Sequence, residues 1–192
     1  MKKRIATLAL ATLLSAPALP ALAAAETFAI DNTHTFPRFE YNHLGYSTQV
    51  HRFTKTSGKI IWDRAAKTGE VDVSIDATSV DTGYALFNQH IQGADYFDTA
   101  NFPVITFKST SVKFEGDKPV AVDGNLTIKG VTRPVTLTIT SFQAMPHPML
   151  KRDAIGANAT TRIKRSEFNA GKNAPYVSDE VTLTIPVEAI KQ

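Results

Sequence analysis

The chain has 192 residues with no cysteine. That length suits one domain, and the missing thiols exclude cysteine catalysis, Cys-ligated zinc and disulfide stapling, so an apolar core must hold the fold. The formal charge of +3 comes from 21 Lys and Arg against 18 Asp and Glu; without Lys2, Lys3 and Arg4 at the extreme N-terminus, 18 cations balance 18 acids. A nucleic-acid partner then has no electrostatic support.

Those three cations precede an apolar run from Ile5 to Leu14 and small residues at Ala21-Leu22-Ala23 and Ala23-Ala24-Ala25. Together they predict a cleaved secretory signal peptide over residues 1–25, too short and wrongly flanked for a membrane span. Residues 26–192 form the expected mature domain, exported to the periplasm.

Glu26 to Ile30 is a short strand ended by Asp31-Asn32. From Phe36 to Leu44, Phe39 and Tyr41 alternate with Arg38, Glu40 and Asn42, the period of a half-buried strand. Pro37 cannot donate to a ladder, which places that strand at an edge or a bulge. Ile60 and Trp62 follow Gly58, and the turn at Thr68-Gly69 leads into Val71, Val73 and Ile75, alternating with Asp72, Ser74 and Asp76. That pair reads as a hairpin.

The one helical pattern comes next. Asp81 is placed to cap a start, Tyr84, Phe87 and Ile91 recur at i, i+3 and i+7, and Gly93 stands where a helix stops. A short helix near residues 84–92 results, which must lie on a sheet or close over its end. Val104 to Phe114 is then a long strand turned by Glu115-Gly116-Asp117. Val120, Val122, Leu126 and Ile128 share the apolar face of the next, Lys129-Gly130 turns the chain, and Val135, Leu137 and Ile139 repeat the alternation. After the break at Met145-Pro146-His147-Pro148, Ile155 to Ile163 and Val181 to Val187 complete about eight strands at hairpin spacing. The class is all-β and antiparallel. Such strands pack as a sandwich or close as a barrel, and the pattern alone does not choose.

Chemistry is sparse. His34, His43, His51, His90 and His147 show no metal-ligand spacing, so no metal site is expected. With even pleating, His34 and His43 would point to opposite faces. Asp72 and Asp76 fall on a solvated strand face, and no Gly-x-Ser-x-Gly, Gly-x-Gly-x-x-Gly or phosphate loop is present. Catalytic residues and cofactors are therefore not expected. Aromatic residues from Phe36 to Phe107 crowd the first half of the mature chain, as core or as the lining of a ligand site.

Three separated blocks resemble the YceI-like polyisoprenoid-binding proteins. They are Ile30-Asp31 with His34, Phe39 and His43-Leu44-Gly45-Tyr46; Ser79 to Thr82 with His90-Ile91, Ala94 to Asp98 and Phe102 to Ser109; and Gly124 to Val135. The resemblance implies a lipocalin-like antiparallel β-barrel of about eight strands with a long apolar cavity for an isoprenoid chain. In the helix this sequence departs from the pattern, with Phe87-Asn88 where relatives often carry Arg-Asp, and Gln92-Gly93 where Arg-Ser is common.

With that resemblance, the expected ligand-binding set is Phe39, Tyr41, Leu44, Tyr46, Phe53, Ile60, Val73, Ile75, Phe87, Ile91, Phe97 and Phe107. Phe87 and Ile91 would face the ligand from a helix closing one mouth. Each buried methylene is worth about 0.8 kcal/mol, so apolar contact alone can hold a long chain. The implied partner is a polyisoprenoid or other long-chain lipid, such as a quinone tail or a fatty amide, with transient membrane contact and with dimerisation left open. Two other readings stand beside it: an enzyme on a small apolar substrate in the same cavity, and a structural or stress-related domain whose barrel is filled.

Overall fold

A computed structural model describes residues 25–192; the leader read over residues 1–25 lies outside them apart from Ala25. The strands are β1 Glu26–Ile30, β2 Arg38–His43, β3 Ser47–Phe53, β4 Thr56–Asp63, β5 Thr68–Asp76, β6 Val80–Asp81, β7 Val104–Glu115, β8 Lys118–Ile128, β9 Val131–Pro146, β10 Asp153–Lys164 and β11 Glu180–Lys191. One α-helix, α1, spans Ala85–Ile91. The strands form a single sheet in the order β1-β4-β5-β7-β8-β9-β10-β11-β2-β3-β6, and β1 also pairs with β11. Eight strands, β1, β4, β5 and β7 to β11, therefore close a ring, and every pairing in it is antiparallel. This is the expected barrel. With the 12 residues of β7 rising about 3.3 Å each and tilted by roughly 40°, its wall is about 30 Å tall.

The three remaining strands arise from breaks in the wall. β11 pairs with β1 near its C-terminus, Phe28 opposite Lys191, and with β2 near its N-terminus, Thr182 opposite Glu40. Between β11 and β5 the wall is thus β1 and β4 at one end, and β2, β3 and β6 at the other. The first break follows from side chains that claim the backbone. Asp31 Oδ1 accepts the Thr33 amide at 2.8 Å, and Pro37 has no amide to offer a neighbour. At the second, buried Ser79 Oγ accepts the amides of Thr54 and Lys55 at 3.2 and 3.1 Å, which bends the chain between β3 and β4.

The alternation had not marked β3 as a strand. Its inward residues are Gln49, His51 and Phe53, so the buried face carries polar side chains and the apolar period is lost. Leu44, Gly45 and Tyr46 make the three-residue hairpin turn that feeds it, with Leu44 and Gly45 at positive φ (57° and 78°). The helix cap also differs from expectation. Tyr84 holds the N-cap position with no side-chain bond, while Asp81 Oδ1 accepts the Gly83 amide instead. The helix start is pinned from within by Asn88 Oδ1, which accepts the Thr82 amide at 2.8 Å and its hydroxyl at 2.6 Å.

Two apolar clusters line the barrel interior. The larger gathers Phe39, Phe53, Ile91, Ile105, Phe107, Leu126 and Phe168 under α1, and the smaller gathers Phe28, Trp62, Ile155 and Ala189 at the opposite, lower end. An ionic group caps that lower end. Lys191 Nζ lies 2.7 Å from Glu26 and 3.7 Å from Asp153, and Arg64 Nε lies 3.6 Å from Glu26 Oε2.

Candidate functional site: an apolar cavity along the barrel

Inward positions of the ring strands line one cavity of about 500 Å³. It reaches from Trp62, Phe114 and Phe142 at the lower end to Phe87, His90 and Ile91 of α1 at the other. Glycine shapes the wall at one point: a Cβ on Gly124 would stand 2.4 Å from Phe107 Cζ, so only glycine lets that ring lie flat on β8.

Of the twelve sequence-predicted residues, Phe39, Tyr41, Phe53, Ile60, Val73, Ile75, Phe87, Ile91, Phe97 and Phe107 stand on the cavity wall. Leu44 and Tyr46 do not. They occupy the β2–β3 turn, 48% and 88% exposed, because the wall ends at His43 and the turn projects past the rim. The sequence reading missed the far wall, where Val122, Leu126, Leu137, Ile139, Phe142 and Leu183 complete the lining. Their alternation was legible, but attention to aromatic residues drew the site toward the first half of the chain.

At the α1 end the cavity meets water through the exposed lining residues His43, His90, Lys172 and Asn173, which makes this end the mouth. Beneath α1 lies an aromatic group: Phe39 is 5.6 Å from Phe53, 5.7 Å from Phe97 and 5.4 Å from the His51 ring. His51 is buried, with Nε2 3.1 Å from the Tyr41 hydroxyl, and burial pushes its pKa down from the ordinary 6.5. Burial likewise pushes the Tyr41 phenol up. His90 reaches a neighbouring loop, its Nε2 lying 3.4 Å from the Tyr96 hydroxyl.

The rest of the rim is built on one guanidinium. Arg165 donates from Nε to Ser178 O at 2.8 Å, from Nη1 to Ala170 O and Lys172 O at 2.6 and 2.7 Å, and from Nη2 to Val177 O at 2.7 Å. Four carbonyls with no strand partner are satisfied by one side chain, which fixes the loop after β10 against the barrel. Lys172 reaches Asp95 at 3.0 Å and Asn173 reaches the Tyr96 hydroxyl at 3.2 Å, tying that loop to the segment after α1.

Among the described residues lining the cavity there is no serine or threonine, and the one carboxylate is the exposed Glu70. The arrangement offers long apolar contact and a polar rim. Outside it, the ligating atoms of Asp31, His34 and Glu188 lie within 4.8 Å of one another. His34 Nδ1 meets Asp31 Oδ2 at 2.8 Å, an exposed contact that serves the turn after β1. Only His43 of the two stands on the cavity wall, while His34 lies in that turn; because a break separates them, their different placement does not come from nine residues of even pleating.

The YceI-like domain family matches residues 28–189. This chain belongs to that family. Protein YceI of Salmonella arizonae is 37% identical over 193 residues, covering 100% of each chain. Among solved structures, Burkholderia cenocepacia BcnA superposes with a TM-score of 0.71 at 28% identity, covering 83% of this chain and 99% of that one. A polyisoprenoid binding domain from Saccharophagus degradans, implicated in plant cell wall breakdown, superposes with a TM-score of 0.65 at 19% identity over 86% of this chain and 98% of its own. At that identity it shows the YceI-like fold alone.

Proposed function

We propose that this YceI-like protein is an exported, periplasmic lipid-binding protein that holds a polyisoprenoid or similar long chain and carries or stores it, without chemical turnover. The observation that carries the reading is the cavity itself, running the length of the barrel with hydrocarbon walls and polar groups at one rim. A wall without serine or threonine, and with its one carboxylate in water, favours binding over catalysis. The Saccharophagus degradans neighbour is a polyisoprenoid binding domain, which agrees with a prenyl occupant. Export rests on the charged, apolar and small-residue succession from Lys2 to Ala25, and loading implies brief contact with a membrane.

Native mass spectrometry of the protein purified from the periplasm tests the reading. A bound long-chain lipid, released intact and unaltered after incubation, is the expected result. Protein that stays empty when offered prenyl lipids, or that converts them, overturns it. N-terminal sequencing of the same sample should begin between Leu22 and Glu26; an N-terminus before Leu22 rejects export by this leader.

A further inference from the structure

Trp62 is the one tryptophan of the chain. It stands on the cavity wall at the lower end, 8% exposed, and its indole Nε1 has no hydrogen-bond partner among the described residues. Its apolar neighbours there are Ile60, Phe114, Phe142 and Ile155. A buried N–H in hydrocarbon surroundings forfeits its hydration for nothing in return, and such donors in folded proteins are almost always matched. The polar side chains nearby do not match it. The Arg64 guanidinium covers the ring face at 4.4 Å from the centroid, and a guanidinium has no acceptor to give.

We propose that the lower end of the cavity is a subsite for a neutral oxygen acceptor of the bound lipid, a hydroxyl, ether or carbonyl, received by the Trp62 indole N–H. This rests on the lipid-binding reading above. The oxygen-bearing end then lies deep in the barrel and the hydrocarbon tail points toward α1. Charge decides for a neutral group. The cap there holds two acids, Glu26 and Asp153, and two cations, Lys191 and Arg64, already paired with one another, so no spare cation awaits a phosphate. A further carboxylate oxygen, Glu26 Oε2, is buried without a hydrogen bond, and Arg64 Nε at 3.6 Å is too distant to supply one. Glu26 and Trp62 are register partners on β1 and β4, with side chains on the same face.

The test uses delipidated, ¹⁵N-labelled protein and four probes on one carbon skeleton: geranylgeraniol, its methyl ether, its monophosphate and the oxygen-free hydrocarbon. Two quantities are read, the affinity and the single indole N–H signal in the NMR spectrum. The alcohol and the ether should move that signal downfield, with the hydrocarbon leaving it near its free position. Trp62→Phe should lower the alcohol-to-hydrocarbon affinity ratio about tenfold, and because the ratio is taken within each variant, any change in packing cancels. An indole signal that moves alike with alcohol and hydrocarbon, or a ratio unchanged in Trp62→Phe, means that the Phe142 ring, edge-on at 5.3 Å, already satisfies the donor, and the subsite falls while lipid binding stands. A monophosphate that binds tightest overturns the neutral head group. If none of the four binds, lipid binding falls and the subsite with it.

Discussion

Truncation of Phe87 to alanine distinguishes a helix that closes the mouth from one that merely packs on the sheet. The ring of Phe87 is half-buried on the cavity wall, 5.6 Å from the His51 ring and 5.9 Å from that of His90. A fully buried phenylalanine costs about 3 to 5 kcal/mol on truncation. Here only half of the side chain leaves water and the rim can collapse into the gap, so the transfer term alone gives about 1 to 2 kcal/mol for the lipid-free protein. For a domain of this size that lowers the melting temperature by roughly 2 to 8 °C. If the ring also covers the ligand, a loss of about 1.4 kcal/mol in the bound state appears as a tenfold faster release, since changes at one interface act mainly on dissociation. Calorimetry of delipidated wild type and Phe87→Ala, beside stopped-flow release of a fluorescent prenyl analogue, measures both. A stability loss above about 3 kcal/mol with unchanged release would refute the lid.

Ile75→Asp places a carboxylate on the cavity wall; the expected outcome is loss of bound lipid in native mass spectra, with a stability cost of several kcal/mol where the charge finds no partner, and a folded variant at full lipid occupancy would contradict the lining. His51 predicts a pH dependence. Its folded pKa is depressed below 6.5 by burial, so on acidification the unfolded chain takes up this proton first, and stability falls from about pH 6.5 downward until the folded pKa is passed. His51→Leu should flatten that slope in urea titrations at pH 7 and pH 5, and equal slopes would remove His51 as its source. Arg165→Met leaves four carbonyls of the rim loop without their donor, so stability should drop by about 3 kcal/mol or more, with proteolytic nicking near Lys172 as the local sign; uncut, fully stable protein would show that water replaces the guanidinium without loss.

Much of the barrel was readable because its long strands obey one rule. In β5, β8 and β9 the inward residues are aliphatic and their neighbours polar, so alternation marks both the strand and the side that faces the cavity. The reading weakens where a short strand carries a polar residue inward for a reason that lies elsewhere in the chain. His51 is buried because Phe39, Tyr41 and Phe87 surround it, and none of these is adjacent to it in sequence. The helix was visible from its spacing, but its start was misassigned since Asp81 and Asn88 both offer an oxygen to the same few amides. Register shifts are also invisible locally. One between Lys113 and Phe114 pairs Phe114 with Pro119, so Pro119 lines the cavity where strict alternation would place Val120. Leu44 and Tyr46 were drawn into the site by belonging to a resembling block, although the three-residue turn that holds them sets them outside the rim.

The split wall has a kinetic meaning. β10 and β11 are zipped from Lys164 opposite Glu180 to Ala154 opposite Ile190, whereas the β2–β3 hairpin meets β11 across Thr182 to Thr184, the loop after β10 through a bridge of His43 with Val177, and β6 at Arg52 and Phe53. Local opening free energies scale with what each segment forfeits; this flap forfeits few ladder bonds and, chiefly, the burial of Phe39 and Phe53, so a ligand that covers those rings should hold it closed. An opening there would admit a flexible chain along its length, without threading through the mouth. Amides of β2 and β3 would then exchange with solvent long before those of β10, and they would slow once a ligand holds the flap closed.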